Sequence, residues 1–277
     1  MAPPAHARMH PVQVAATMIA AATGAKSHRH VVTAQRYLAP ARCATISPAS
    51  IGTAGVPRPQ SDTAGTIGRM ETTPRTFDRA RDHWWWRPGW GPGSRYLTFH
   101  LTFEGATALH AAAERVAADL RGACAVDLVP TDWLHLTMTG VGFTAEVDDR
   151  ALEGLSDVVF SWAAATRTDP LRFDRSFAYS EGFGIAMRPA TWLDDLKAIQ
   201  SDAVSAVRDV RNDSGFQPHV TLAYFSGDAD LARVEHAARR LPEDGISVDH
   251  PRLSLIELGR DDRMYTWRVL RQLTLGG

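Results

Sequence analysis

The apolar residues of this chain recur with two different periods, which predict stretches of strand and of helix. Alternation of apolar and polar positions indicates strands, whereas apolar residues three and four positions apart indicate helices. The clearest alternation runs through Leu97, Phe99, Leu101 and Phe103. On these criteria strands are expected at 95–103, 126–129, 133–140, 171–179, 184–188, 217–225, 246–248, 253–258 and 264–275, and helices at 105–121, 145–165, 191–210 and 228–241.

The order of these elements predicts the fold class. Strands and helices are mixed, without the strict alternation of a parallel sheet, so we expect an α+β fold with largely antiparallel sheets. The strands at 133–140 and 217–225 each follow one helix and precede another. This similarity suggests two related halves that face each other across a cleft. Asp228 is the expected cap of the helix after the second strand.

Residues 1–69 differ in composition from the rest of the chain. They are rich in Ala, Pro, Thr, Ser and Gly, and Asp62 is their only acidic residue. Such a segment is expected to be disordered. Three origins are open: a flexible tail or an upstream start before Met70, a basic transit peptide, and a secretory signal around residues 12–22. We therefore assign 1–75 to a disordered or spurious extension and 76–277 to the folded domain.

The charge balance argues against a globally basic surface. Thirty Lys and Arg residues face 31 Asp and Glu residues, for a formal net charge of -1. A nucleic-acid ligand would therefore need a local site. The two cysteines, Cys43 and Cys124, make neither a disulfide framework nor a zinc set, which favours a reducing compartment and a cytoplasmic location. No stretch is apolar enough to span a membrane, and a monomer is expected.

Two four-residue segments share one pattern, and both fall in predicted strands. They are His135-Leu136-Thr137-Met138 and His219-Val220-Thr221-Leu222. In a strand, the histidine and threonine of each segment share one face and the two apolar residues share the other. A third copy, His100-Leu101-Thr102-Phe103, has no helix before it. We interpret it as part of a neighbouring strand beside the same cleft.

A single segment of this kind is best explained as an inert histidine on the polar face of a strand. Two copies in equivalent settings favour a shared function instead. A metal site is not expected, because each histidine is accompanied by threonine rather than by further histidines, cysteines or carboxylates. A threonine hydroxyl is nevertheless a good donor to a phosphate oxygen.

Two imidazoles supply both halves of acid–base catalysis. Histidine has a reference pKa of about 6.5, so one ring can be neutral while the other is protonated near neutral pH. The neutral ring takes a proton from water, and the charged ring gives one to a departing alkoxide. Hydroxyl donors stabilise the charge that develops on the phosphate oxygens. These residue types predict phosphodiester cleavage that needs no metal or other cofactor.

The pair HLTM at His135 and HVTL at His219 resembles the signature of the 2H phosphoesterase superfamily, in its 2′-5′ RNA ligase-like branch. The resemblance covers about residues 81–275. It extends to further positions, namely Pro218, Tyr265, Trp267 and Leu270.

This resemblance implies a bilobal α+β fold with a pseudo-twofold axis and one His-x-Thr strand in each lobe. It implies that 2′,3′-cyclic phosphates are opened to 2′-phosphates, or that RNA ends are joined reversibly by 2′-5′ bonds. The partner would be a small nucleotide or an RNA terminus. The catalytic residues would be His135, Thr137, His219 and Thr221. One departure is Tyr224, where many bacterial members carry an arginine, because a tyrosine cannot neutralise phosphate charge.

Other residues are expected near the cleft. The loop 82–93, DHWWWRPGWGPG, carries four tryptophans that either stack on a base or cover the first lobe. The candidates for substrate contact are His100, Trp90, Tyr179 and Tyr224. Arg188 either reaches the cleft or lies on the surface, and Arg260 and Arg263 are expected in a solvated turn.

Three functions are open at this point. The first is a phosphodiesterase that acts without a metal on 2′,3′-cyclic phosphates or 2′-5′-linked ends. The second is a binding module that holds a nucleotide or RNA terminus without turnover, an alternative that Tyr224 keeps open. The third is a reversible 2′-5′ RNA ligase that uses the same residues.

Overall fold

The computed structural model describes residues 71–73, 76–209 and 215–276, which contain ten strands and four α-helices. The strands are β1 Glu71–Thr73, β2 Tyr96–Thr102, β3 Val126–Leu128, β4 His135–Phe143, β5 Leu171–Tyr179, β6 Gly182–Met187, β7 His219–Phe225, β8 Ile246–Val248, β9 Arg252–Gly259 and β10 Thr266–Thr274. The helices are α1 Thr107–Leu120, α2 Asp149–Ala165, α3 Thr191–Ser205 and α4 Leu231–Ala238.

The strands form two sheets. The first sheet has the order β10-β9-β2-β4 and is antiparallel throughout. The second has the order β1-β5-β6-β7-β3, and β8 also pairs with β5. Among the described strands, β1 and β5 make the single parallel pair. The predicted α+β class with largely antiparallel sheets is confirmed, and each sheet contains one of the two motif strands, β4 or β7.

Strand β2 shows how both faces of a sheet become covered. Its apolar side chains, such as Phe99 and Leu101, are fully buried, as the alternation predicts. Its polar residues Thr98, His100 and Thr102 are buried as well, each at most 2% exposed. Buried polar atoms need partners, and the Thr102 hydroxyl lies 3.0 Å from that of Ser254 on β9. The polar face of β2 is therefore interior, beside the place where the two sheets meet.

The last helix begins later than its sequence pattern indicates. Asp230, not Asp228, caps α4, since its Oδ1 accepts a hydrogen bond from the backbone N–H of Arg233 at 3.1 Å. Asp228 instead pairs with Arg79 on the surface. The prediction of Asp228 as the cap was wrong because both aspartates precede the apolar run, and only the backbone turn decides which one lies at the helix end.

Replacing Asp230 with alanine is expected to lower the free energy of unfolding by about 1 kcal/mol, because a backbone donor of the first helical turn loses its acceptor. Asp228→Ala is the matched control and should change it by less than about 0.5 kcal/mol, since exposed ion pairs contribute little. Urea titrations of both variants measure the difference. Equal effects of the two substitutions would contradict this assignment of the cap.

Several expectations concern residues at the margins of the structure. Glu71–Thr73 forms β1 although it falls within the range 1–75 assigned to the extension. Residues 1–70 and 74–75, to which the prediction of disorder applies, lie outside the described residues. Cys43 also lies outside the described residues. Cys124 is not a free thiol, so it gives the expected reducing compartment no support. Within the described ranges, no helix is both long and apolar enough to cross a membrane.

Candidate active site

The histidine-bearing faces of β4 and β7 meet at one cavity. His135, Thr137, His219 and Thr221 all line it, and its volume is about 290 Å³. The first pair comes from the first sheet and the second pair from the second sheet. The other four candidates also line this cavity, namely Trp90, His100, Tyr179 and Tyr224. All eight residues predicted to be catalytic or to contact the substrate therefore line a single cavity.

The two motif histidines are held in the same way. Nδ1 of His135 donates to the backbone carbonyl of Trp133, and Nδ1 of His219 donates to that of Gln217, both at 2.8 Å. A carbonyl oxygen only accepts, so Nδ1 must carry the proton in each ring. This leaves Nε2 of each histidine as the atom that can exchange a proton with a ligand. The same contact two residues upstream in both strands shows the local equivalence that their sequences suggest.

The surroundings of the two rings differ. His135 is 8% exposed, whereas His219 is only partly buried. Burial lowers the pKa of His135 to about 4, and the nearby His219 acts in the same direction, while the hydrogen bond to Trp133 opposes them. His135 is therefore neutral at physiological pH, with a free lone pair on Nε2.

His100 supports the ring of His135. The two imidazoles stack in parallel, with centroids 4.5 Å apart and planes 4° from each other. The indole of Trp267 packs nearly perpendicular to both rings. Burial and the neighbouring His135 hold the pKa of His100 well below its usual value. A neutral His100 thus covers one face of the His135 ring.

The two motif threonines differ in their burial and in their hydrogen bonds. Thr221 is buried, and its hydroxyl lies 3.2 Å from the hydroxyl of Tyr179. Burial raises the pKa of Tyr179, so its hydroxyl stays protonated and remains a donor. Thr137 is exposed. Both hydroxyls are placed on the cavity side, where an anionic ligand would find them.

A β-bulge sets which residues of β4 reach the cavity. Met138 and Thr139 together lie opposite the single residue Phe99. This extra residue reverses the alternation, so that Gly140 lines the cavity and Thr139 does not. The Thr139 hydroxyl instead accepts a hydrogen bond from Nζ of Lys197 at 3.0 Å.

The tryptophan loop covers part of the cavity. Trp84 packs edge-on against Tyr224, with centroids 5.3 Å apart, and Trp90 packs against Tyr96 and lines the cavity. These two indoles cover the site. Trp85 and Trp86, in contrast, are each 49% exposed. The loop is thus a partial cover in which two indoles are half exposed.

One histidine of the cavity wall, His83, was not predicted from the sequence. His83 lies at 6% exposure in the cavity wall, where Nδ1 is 3.1 Å from Glu181 and Nε2 is 3.0 Å from the Tyr265 hydroxyl. Its ring stacks on Tyr224 with centroids 4.1 Å apart. Burial and the charge of Arg87 lower the pKa of His83 to about 4, although Glu181 opposes this. The one sequence signal was a histidine and an arginine inside the tryptophan loop.

Arg260 corrects another expectation. It was assigned to a solvated turn, but it is 4% exposed and lines the cavity. Arg263, by comparison, is exposed and pairs with Asp127 at 3.1 Å. Arg188 pairs with Asp174 on the surface and is not part of the cavity wall. Of these three arginines, Arg260 alone is buried, and Arg188 and Arg263 are exposed.

The ligand types at this site suit an anion rather than a metal ion. Across the residues that the structure describes, no group of three or more His, Cys, Asp or Glu side chains is arranged to hold a metal. The cavity instead presents imidazole nitrogens, hydroxyls and guanidinium groups. The hydroxyls and guanidinium groups donate hydrogen bonds, and phosphate oxygens accept them.

The site and fold agree with a comparison against protein families. The family model for the 2′-5′ RNA ligase superfamily matches residues 108–262. The chain therefore belongs to the 2′-5′ RNA ligase superfamily, and the predicted 2H phosphoesterase relationship is confirmed. Membership places it among phosphoesterases and 2′-5′ RNA ligases. No curated protein matches the chain significantly.

Solved structures of low sequence identity also resemble this chain. LigT of E. coli, in complex with 3′-AMP, is 16% identical and aligns over 66% of this chain and 99% of its own length, with a TM-score of 0.48. TT0787 of Thermus thermophilus is 17% identical and aligns over 66% and 98%, with a TM-score of 0.49. A structure described as a phosphoesterase is 18% identical and aligns over 66% and 99%, with a TM-score of 0.47.

Proposed function

We propose that this chain is a phosphodiesterase that opens 2′,3′-cyclic phosphates, or cleaves 2′-5′ linkages, at the end of a small nucleotide or RNA, without a metal ion. The observation that carries this proposal is the pair of Nε2 atoms, one from His135 and one from His219, left available at a single cavity by identical Nδ1 contacts. Family membership supports the same reaction class.

We assign the two roles on the basis of the difference in burial. His135 is neutral because its pKa is lowered to about 4, so it serves as the general base and takes a proton from the attacking water. The second ring, His219, is the less buried of the two and serves as the general acid. It gives its Nε2 proton to the ribose 3′ oxygen as the bond from phosphorus to that oxygen breaks. The product is a 2′-phosphate.

The threonines hold the phosphate during this step. The hydroxyls of Thr137 and Thr221 donate to the non-bridging oxygens, where negative charge increases in the transition state. Tyr179 orients the hydroxyl of Thr221 from 3.2 Å. Such donors are most useful when they are fixed before the substrate arrives, and Thr221 meets that condition.

The size of the cavity supports a small substrate. Its volume of about 290 Å³ is at the lower end of the range for small-molecule sites, roughly 300–1,000 Å³. A mononucleotide or the terminal nucleotide of an RNA suits this space better than an internal stretch of a strand. Trp90 and Tyr224, both in the wall, are proposed to contact the base or ribose.

The direct test is hydrolysis of 2′,3′-cyclic AMP by the purified protein in the presence of EDTA. We expect turnover to continue with the chelator and the product to be 2′-AMP. Loss of activity that added metal restores would contradict the proposed chemistry. Tight binding of the nucleotide with no product would instead support a binding module, and formation of 2′-5′-linked dinucleotides would support ligation.

A further inference from the structure

Arg260 is a buried cation with an incomplete set of hydrogen bonds. It follows the last residue of β9 and is 4% exposed in the cavity wall. Its Nη2 donates to the backbone carbonyl of His83 at 3.0 Å. Its Nη1 is buried and has no partner among the described residues. A buried charge with an unused donor is costly, so an arginine in this position calls for an explanation.

Four aromatic rings surround the guanidinium. Its Cζ lies over Trp84 at 5.7 Å, Trp86 at 5.9 Å, Trp90 at 5.6 Å and Tyr265 at 5.7 Å from the ring centroids. We call these four rings the aromatic box. Their electron-rich faces attract a cation, which offsets part of the cost of burial. The rings carry no net charge, however, so the positive charge of Arg260 is not cancelled.

The neighbouring arginine differs in this respect. Arg87 also lines the cavity, but it pairs with Glu181 at 2.7 Å. His83, whose pKa is lowered to about 4, adds no charge at neutral pH. Arg260 forms no ion pair with any carboxylate in the described part of the chain. At this end of the cavity, Arg260 is thus the cation whose charge is not balanced by a carboxylate.

Arg260 lies near Tyr224, the position that departs from the family resemblance. Tyr224 replaces the arginine that many bacterial relatives carry there, and its ring stacks on His83 and packs against Trp84. Arg260 contacts both of those residues, through a hydrogen bond to one and a cation–π contact with the other. Arg260 and Tyr224 therefore share two neighbours in the same part of the cavity wall.

The geometry points to Arg260 as the residue that attracts and holds the phosphate of the substrate, with the tryptophan loop as the structure that makes its burial possible. This inference rests on the proposed function for the identity of the ligand, a phosphate in the same cavity. It goes further by assigning the charge that the reaction needs to a residue outside both motifs. It also explains why the loop carries so many tryptophans.

Binding of inorganic phosphate, measured by calorimetry at pH 7.5, tests this inference without requiring turnover. Arg260→Gln is expected to weaken phosphate binding by about tenfold or more, because a charge-assisted contact is lost. Arg263→Gln is the matched control, since it removes the same charge from the same turn outside the cavity, and it should stay within about twofold of the unaltered protein. Equal affinities of Arg260→Gln and the unaltered protein would overturn the inference, as would a failure of the unaltered protein to bind phosphate.

A second measurement decides the question if Arg260→Gln does not fold, as judged by its near-ultraviolet circular dichroism. Sulfate keeps its charge of minus two between pH 7.5 and 9, and an arginine stays positively charged over the same range. Binding of sulfate to the unaltered protein should therefore change by less than about twofold over this range. A site that depends on a protonated histidine would lose about thirtyfold, and that result would overturn the inference.

The outcomes separate this inference from the proposed function. Phosphate binding that depends on Arg260, in a protein that does not hydrolyse 2′,3′-cyclic AMP, would leave the anion site standing and remove the catalytic proposal. If Arg260→Gln hydrolyses 2′,3′-cyclic AMP with unchanged kcat/KM, the catalytic proposal stands and the role of Arg260 is removed.

Discussion

Replacing either His135 or His219 with alanine is expected to lower the rate of 2′,3′-cyclic AMP hydrolysis by at least about a hundredfold. Each substitution removes one of the two proton transfers, and one such transfer contributes on the order of 10²–10⁴ in rate. Initial rates at saturating and at low substrate concentration measure the loss in kcat and in kcat/KM. His236→Ala is the matched control, because that histidine is exposed on α4 and away from the cavity.

The two variants should differ with a substrate whose leaving group needs no proton. A p-nitrophenyl phosphodiester releases a stable anion, so the general acid becomes dispensable while the general base does not. We therefore expect His219→Ala to recover most of its lost activity with this substrate and His135→Ala to remain impaired. The opposite pattern would exchange the two roles. Unchanged rates in both variants with the cyclic nucleotide would remove the proposed mechanism altogether.

Acid is expected to destabilise the fold strongly between pH 6.5 and pH 4. Burial lowers the pKa values of His83 and His135 to about 4, below the value of about 6.5 that they regain on unfolding, and it lowers that of His100 as well. In this window the unfolded chain binds more protons than the folded one, so stability rises with pH. It is fully present above pH 6.5 and is lost as the pH falls toward 4. Each shift of this size corresponds to about 3 kcal/mol.

Urea titrations at pH 7, 5.5 and 4 measure this dependence. The carboxylates of the protein also titrate as the pH falls, so the informative quantity is a difference between variants. His100→Leu removes one buried imidazole and should reduce the loss of stability between pH 7 and pH 4, whatever it does to stability at pH 7. His236→Ala should leave the loss unchanged. Identical pH dependence in all three proteins would show that the buried histidines do not cause it.

The strands and the two motifs could be predicted from sequence because their signals are local. Alternating apolar positions bury one face of a strand, and the histidine of each motif then falls on the opposite face by geometry alone. The match between His135 and His219 extends to their backbone contacts two residues upstream. Each of these contacts joins residues only two positions apart, so it too depends on local sequence. A repeated local pattern thus predicted a shared site without any knowledge of the tertiary structure.

The bulge in β4 marks the limit of such reasoning. Strict alternation would place Thr139 beside Thr137, yet the extra residue opposite Phe99 turns Thr139 toward Lys197. The reason lies in the pairing of β4 with β2, which no periodicity in β4 records. The cap of α4 is similar, because Asp228 and Asp230 are equally good caps in sequence and only the backbone path distinguishes them.

The sequence by itself determined that this chain carries two His-x-Thr strands, an α+β order of elements and a family resemblance that comparison confirmed, since all three depend on residues close together along the chain. Only the tertiary structure decided which charged groups accompany them. Arg260 and His83 are buried because the tryptophan loop and the turn after β9 pack together across the cavity. Burial and ion pairing depend on contacts between residues that are distant in sequence, so no local pattern could distinguish Arg260 from the solvated Arg263.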